Sequence, residues 1–295
     1  MQTQKNIIET HQIEFRDRLA IIATMHHKEK AIAPILEANL GLNSLVPKDF
    51  DSDLFGTFTR DIDRPAGQIE TAKLKAMRGL ELWESAEIAI ASEGSFFPHP
   101  LLGLPYNREI VLLHDKRHNF TVYGEHLSAE TNFRHRQISS YDQAYEFAVQ
   151  IGFPDHAIVL MPDAQTTAKQ SIYKGINSIE MLRSAVDELL ARSPNHQIHI
   201  ETDMRALHNP TRMQNITKAT SDLVRKLQQR CPQCNFVNFD VTDKIGGLPC
   251  ELCGLPTPSI RAHRYSCERC QFQQEIPFPN HTQTADPMYC NYCNP

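Results

Sequence analysis

The sequence predicts an α/β fold, a mixed sheet with helices on its faces, followed by a small cysteine-rich domain at the C-terminus. Three observations carry this. Short β-branched runs alternate with helical patterns over the first 230 residues, all eight cysteines lie between Cys231 and Cys293, and they fall into four Cys-x-x-Cys pairs. Interleaved strand and helix patterns favour helices packed on the faces of a sheet. The abrupt onset of cysteine marks a boundary, giving an N-terminal extension over 1–18, an α/β domain over 19–228 and a cysteine-rich module over 229–295.

Taken along the chain, strands are expected at 19–24 (LAIIAT), 88–92 (IAIAS), 109–114 (EIVLLH), 120–123 (FTVY), 157–161 (AIVLM) and 197–201 (QIHIE). Each is a short apolar or alternating run. Helices are expected at 28–39, 68–84, 141–151, 178–192 and 211–229. In the second, Ile69, Ala72, Ala76 and Leu80 recur at helical spacing. Before the last, Asn209 is placed to cap and Pro210 to start the helix. Stretches 47–56 and 97–105, rich in Pro, Gly and Asp, read as loops.

The cysteine pairs are Cys231/Cys234, Cys250/Cys253, Cys267/Cys270 and Cys290/Cys293, separated by 15, 13 and 19 residues. A Cys-x-x-Cys turn aims two thiolates at one point, and two such turns complete a tetrahedral shell. Pro232 and Gly254 suit these turns, because proline fixes φ and glycine accepts positive φ. Two structural zinc ions are therefore expected in tandem zinc ribbons, with iron in a rubredoxin-like site as the alternative. Neighbouring pairs are expected to close together, Cys231/Cys234 with Cys250/Cys253 and Cys267/Cys270 with Cys290/Cys293; interleaved closure is the other arrangement. Redox chemistry is a poor fit, because a redox Cys-x-x-Cys normally occurs once, near a βαβ pattern.

Composition narrows the classes further. The chain has 295 residues, 41% hydrophobic and 22% charged, with a formal net charge of −5, which is ordinary globular composition. No apolar run approaches the length of a membrane span, and the start, MQTQKNIIETHQIEF, lacks a signal peptide's basic head and apolar stretch, so a cytoplasmic protein without a membrane partner is expected. From 231 onward four Lys/Arg face six Asp/Glu. Phosphate backbones are bound by clustered cations, so nucleic acid is a disfavoured partner.

Walker A, Gly-x-Gly-x-x-Gly and Gly-x-Ser-x-Gly motifs are all absent. Three other constellations carry candidate chemistry. The first, LAIIATMHHKEKAIAPIL, runs from a strand into a helix with Lys28 at the junction, a place where ligands gather and helix N-termini attract anions. The second places Glu70 and Lys73 together on a helix, where a surface ion pair is the plainer explanation. The third, IAIASEGSFFPHP, is an apolar strand ending in Ser92, Glu93, Gly94 and Ser95, where a carboxylate beside glycine suits a hard divalent ion and a β-turn is the bland alternative.

In their order, ATMHHKEKAI, GQIETAKLKAMRG and IASEGSF resemble the motifs of the inosine/xanthosine triphosphate pyrophosphatases, over residues 19 to about 130. That resemblance implies that Lys28 meets a triphosphate, that Glu70 and Glu93 hold magnesium, and that Lys73 offsets charge on the leaving pyrophosphate. The whole chain also looks like an uncharacterised bacterial family ending in paired zinc knuckles and a terminal Cys-Asn-Pro. Two functions follow as expectations: a magnesium-dependent hydrolase acting on a nucleotide or another phosphorylated small molecule, or a non-catalytic adaptor that docks a protein partner through its zinc ribbons. In IHIETDMRALHNPTRMQNI, Arg205 and Arg212 either bind phosphate or pair with Glu201 and Asp203 to clamp the following helix, and the clamp is the expected arrangement.

Overall fold

The apolar run LAII forms strand β1 (Leu19–Ile22), and its last three residues are fully buried. Chain reversal after helix α1 (Glu29–Leu40) uses Gly41 at φ 68°, a left-handed position that glycine adopts without steric cost. Strand β2 (Asn43–Leu45) follows and pairs with β1 in parallel. The computed structural model describes residues 13–24, 26–48, 50, 66–98, 103 and 105–295. Met25 and most of the 47–56 and 97–105 loop expectations lie outside these residues. No helix among them is long and apolar enough to cross a membrane.

Helix α2 (Gln68–Leu82) leads into β3 (Ile88–Pro98), β4 (Pro105–Asp115) and β5 (Phe120–Ser128). They build a sheet of order β2-β1-β3-β4-β5, parallel through its first three strands and antiparallel at β4 and β5. Ala72, Ala76 and Leu80 of α2 pack on Ile21, Ala89, Ala91, Ile110 and Leu112, so the periodic stripe read from the sequence is the helix's buried face.

A second sheet holds β6 (His135–Ile138), β7 (Ile158–Met161), β8 (Tyr173–Ile176) and β9 (Ile198–Thr202) in the order β6-β9-β7-β8, antiparallel throughout. Helices α3 (Tyr141–Ile151) and α4 (Ile179–Arg192) cover it with Phe147, Ile151, Leu182, Val186 and Leu189. Ser140 and Ser178 cap these helices by accepting the N–H of Gln143 and Met181. The α/β architecture is thus mixed, but it uses two sheets where one was expected. The three strands missing from the sequence reading, β2, β6 and β8, are short edge strands with few apolar residues, and edge strands need no full apolar face.

Helix α5 (Pro210–Gln228) starts where expected, with the Asn209 Oδ1 accepting the Arg212 N–H at 3.0 Å. It lies against β5 at Gly124, where an added Cβ would come within 2.1 Å of the Leu223 backbone nitrogen. Glycine there permits direct contact between helix and strand backbones.

The chain divides into two compact units, Phe15–Val224 and Arg225–Pro295 with the start of the chain to Glu14. In the second, β10 (Asp240–Gly246), β11 (Ile260–Ser266) and β12 (Gln273–Pro277) form an antiparallel meander. Its apolar centre is small: the Phe239 ring sits 5.8 Å from Tyr265 and 5.9 Å from Phe272, with Val237 and Leu248 buried nearby in the chain.

Candidate functional site

Each Cys-x-x-Cys is a knuckle of repeated design. The N–H four residues after the first cysteine bonds back to that cysteine's carbonyl, from Asn235, Gly254, Gln271 and Asn294 at 2.8–3.0 Å. Asn235, Gly254 and Gln271 take positive φ to close these turns, a conformation that glycine and asparagine tolerate best. The N–H groups of Cys293 and Tyr292 point at the Cys290 sulfur and hold its pKa down to about 7, as donors to a thiolate do.

The eight sulfurs gather as two clusters, Cys231/Cys234/Cys267/Cys270 and Cys250/Cys253/Cys290/Cys293, each with all its sulfurs within 4.8 Å of one another. Sulfurs are 3.6 Å apart for Cys231–Cys270, Cys234–Cys267 and Cys253–Cys290, and 3.9 Å for Cys250–Cys293. A tetrahedral ion with metal–sulfur bonds of ~2.3 Å has an edge of ~3.8 Å, so both clusters are the right size for one ion each. Four thiolates close the coordination shell, which suits a structural ion.

The pairing is interleaved, first with third and second with fourth, and this corrects the expected pairing of neighbours. Strand count explains it. One strand, β10, separates the first knuckle from the second and carries the chain to the far end of the meander. Two strands, β10 and β11, return it, so Asp240 pairs with Ser266 and brings Cys267 beside the first knuckle. At the other end Cys250 bridges to Ala285, whose N–H bonds to the Pro249 carbonyl, and this draws the fourth knuckle to the second. Strands of seven residues hold the two ends about 20 Å apart.

A second constellation lies in the Phe15–Val224 unit, where β1 stops and β3 runs on. Glu93 is not at the carboxyl end of its own strand, as the sequence suggested, but in the middle of β3, which continues to Pro98. Because β1 ends at Ile22, this stretch of β3 extends past the carboxyl end of β1. Lys28, in the turn leading into α1, is buried there and donates to the Ser92 carbonyl at 3.2 Å. Glu93 is also buried and forms an ion pair with Lys75 of α2. Arg212 and Glu109, 1% and 0% exposed at their side chains, pair at 2.6 Å, and the same guanidinium donates to the Met204 carbonyl.

These five groups feel one another. Burial, reinforced by the cations of Arg212 and Lys75, pushes the Lys28 ammonium down to about 7, against the carboxylates of Glu93 and Glu109. Lys28 thus sits beyond the end of β1 beside two buried ion pairs, Lys75 with Glu93 and Arg212 with Glu109, and the five groups carry one formal positive charge when Lys28 is protonated. The buried Ser92 hydroxyl has no hydrogen-bond partner among the described residues.

Of the residues singled out from the sequence, the structure brings together Lys28 and Glu93. Glu70 is exposed in the first turn of α2. Lys73 is half-buried, and burial together with its charge lowers the pKa of His114 on β4. Lys75, Glu109 and Arg212 were not among the site candidates. Lys75 had a readable signal, because it stands three residues from Ala72 and four from Gly79, inside the buried stripe of α2. Asp203 pairs with Arg205 as expected, and Arg212 reaches Glu109 across to β4, where Gly94 on β3 leaves room for its side chain.

No curated protein matches the chain. A family model described as a domain of unknown function, DUF6671, matches residues 75–295. That span takes in Lys75, Glu93, Glu109, Arg212 and every cysteine, and the chain belongs to this family.

Proposed function

We propose that the Phe15–Val224 unit is a phosphohydrolase acting on a nucleotide beyond the carboxyl end of β1, and that the C-terminal unit is a structural module built on two zinc ions. The observation that carries the first part is the gathering of buried Lys75, Arg212, Glu93 and Glu109 around buried Lys28 beyond the end of β1. In open α/β sheets ligands bind outside the carboxyl ends of strands, and β1 lies between β2 and β3, the point where successive connections leave in opposite directions. The resemblance of residues 19 to about 130 to triphosphate pyrophosphatases supports the same place.

Lys28 and Lys75 face the bridging and leaving oxygens of a phosphoanhydride and offset the charge that develops there. An arriving anion raises the Lys28 pKa again, so binding near neutral pH takes up a proton. Magnesium keeps several waters and takes one or two carboxylates besides substrate phosphates, so of the expected pair Glu93 would hold it and it would supply Lewis-acid polarisation of the phosphoryl oxygens, whereas Glu70 stays exposed in the first turn of α2. Pyrophosphate release from a nucleoside triphosphate panel with magnesium tests this. Glu93→Gln and Lys28→Met are expected to reduce turnover at least a hundred-fold with the fold retained, and wild-type turnover in both variants sinks the assignment.

Stability should report the same lysine. An unfolded lysine titrates near 10.5 and Lys28 in the fold near 7, so between these values the unfolded chain holds more protons. Unfolding free energy therefore rises with pH across that window, and the burial cost is fully present below it. Urea titrations at pH 7 and pH 10 are expected to differ more in wild type than in Lys28→Met, by on the order of a few kcal/mol. Equal pH dependence in the two proteins would show that Lys28 is not desolvated.

A second reading, docking of a protein partner, has its own observation. Leu252 and Tyr292, each 74% exposed, stand with Met288 and Tyr289 on the second cysteine cluster. Co-purification of a partner that disappears when Leu252 and Tyr292 are changed to serine supports it, and unchanged behaviour of that variant removes it.

A further inference from the structure

The hairpin ends of β3 and β4 contribute to a cavity of about 580 Å³ whose walls suit a particular ligand. Phe96, Phe97 and Phe133 supply its aromatic side, and Phe96 and Phe133 stack with centroids 5.7 Å apart and planes at 23°. Its polar side chains are Arg134, His135, Arg136 and Gln150, with no carboxylate among the lining residues. The volume lies within the roughly 300–1,000 Å³ of small-molecule sites, which are mostly apolar with a few placed polar groups.

Two details show what those polar groups want. The Nε of Arg136 is buried without a hydrogen-bond partner, whereas its Nη2 donates to both the Gln143 carbonyl and Glu146. Arg134, an exposed residue, lines the same cavity. Guanidinium donors beside stacked rings recognise a flat heteroaromatic ring bearing acceptor atoms, through stacking on the ring faces and hydrogen bonds at its edge. A cationic ligand finds no counter-charge there. Phe96 also meets Arg212, whose guanidinium carbon lies 5.9 Å from its ring centroid, so the cavity's aromatic side adjoins the Arg212–Glu109 pair.

We infer that this cavity binds a nucleobase, its ring against Phe133 and its acceptor atoms on Arg134 and Arg136. The inference deepens the hydrolase proposal and rests on it for the link to turnover, while binding stands on the cavity alone. Isothermal titration of the full chain without magnesium tests it, using guanosine, cytidine and ribose 5-phosphate.

Guanosine is expected to bind more tightly than cytidine, whose ring offers less area for stacking, and ribose 5-phosphate more weakly than either. Phe133→Leu, which keeps volume but removes the ring, is expected to weaken guanosine at least ten-fold, and Phe133→Tyr to keep wild-type affinity. The inference is overturned if neither nucleoside binds the wild type, or if Phe133→Leu binds guanosine as the wild type does. Nucleoside binding with no pyrophosphate release from any triphosphate would leave the base site in place and remove the hydrolase reading instead.

Discussion

Chelation is expected to unfold the C-terminal unit while Phe15–Val224 stays folded. The reason is the small apolar core of the C-terminal unit: beyond Phe236, Val237, Phe239 and Leu248 its buried residues are five of the cysteines with Ile13, Leu227, Thr257, Ala262 and Ala285, and β12 is exposed along its whole length. A single core in a domain of this size supplies little stability, and a metal or a cross-link commonly supplements it. Structural zinc supplies roughly 10–16 kcal/mol per site at neutral pH, more than such a module's remaining contacts provide. Amide hydrogen exchange before and after treatment with a strong chelator is the measurement. Protection across 231–295 should collapse, and protection in β3, β4 and α5 should persist. Retained protection in β10 and β11 after metal removal would show that the meander holds itself.

Arg212→Met is expected to cost the Phe15–Val224 unit about 3–5 kcal/mol, because it leaves the Glu109 carboxylate buried without its partner. Breaking a buried pair is expensive, whereas replacing both members by apolar groups is often nearly neutral. Arg212→Met combined with Glu109→Leu should therefore recover much of the loss. Urea denaturation of the two single variants and the double variant decides between a pair that holds the fold and one whose members act independently. A double variant as unstable as the sum of the singles would show that Arg212 matters through its bond to the Met204 carbonyl and not through Glu109.

The helices and central strands of the α/β unit were legible because their apolar residues follow the period of the element. Ile69, Ala72, Ala76 and Leu80 mark α2, and the unbroken run IVLM marks β7. What escaped has physical causes. Gly94 read as the end of a strand, yet it lies within β3, and a Cβ there would stand 2.4 Å from the Arg212 guanidinium and 2.5 Å from the Glu109 carboxylate. Glycine in that place marks the approach of a side chain from another element, and a single sequence cannot name the visitor.

The cysteine region gives the opposite lesson. Its ligands were fully legible from spacing, but their pairing was not. The pairing is decided by strands such as DVTDKIG and QQEIP, which carry little apolar signal because the meander's backbone bonds and the cysteine knuckles at its ends fix them. Counting one strand between neighbouring knuckles and two between alternate ones would have given the interleaved answer, had those strands been visible.

Metal content of the purified, untagged chain tests the interleaved two-site arrangement most directly. Two zinc ions per chain are expected for the wild type, one for Cys231→Ser with Cys267→Ser, whose cysteines belong to the same cluster, and none held tightly for Cys231→Ser with Cys250→Ser. A wild-type chain without zinc or iron, or a second variant that keeps one ion while the first loses both, would contradict it.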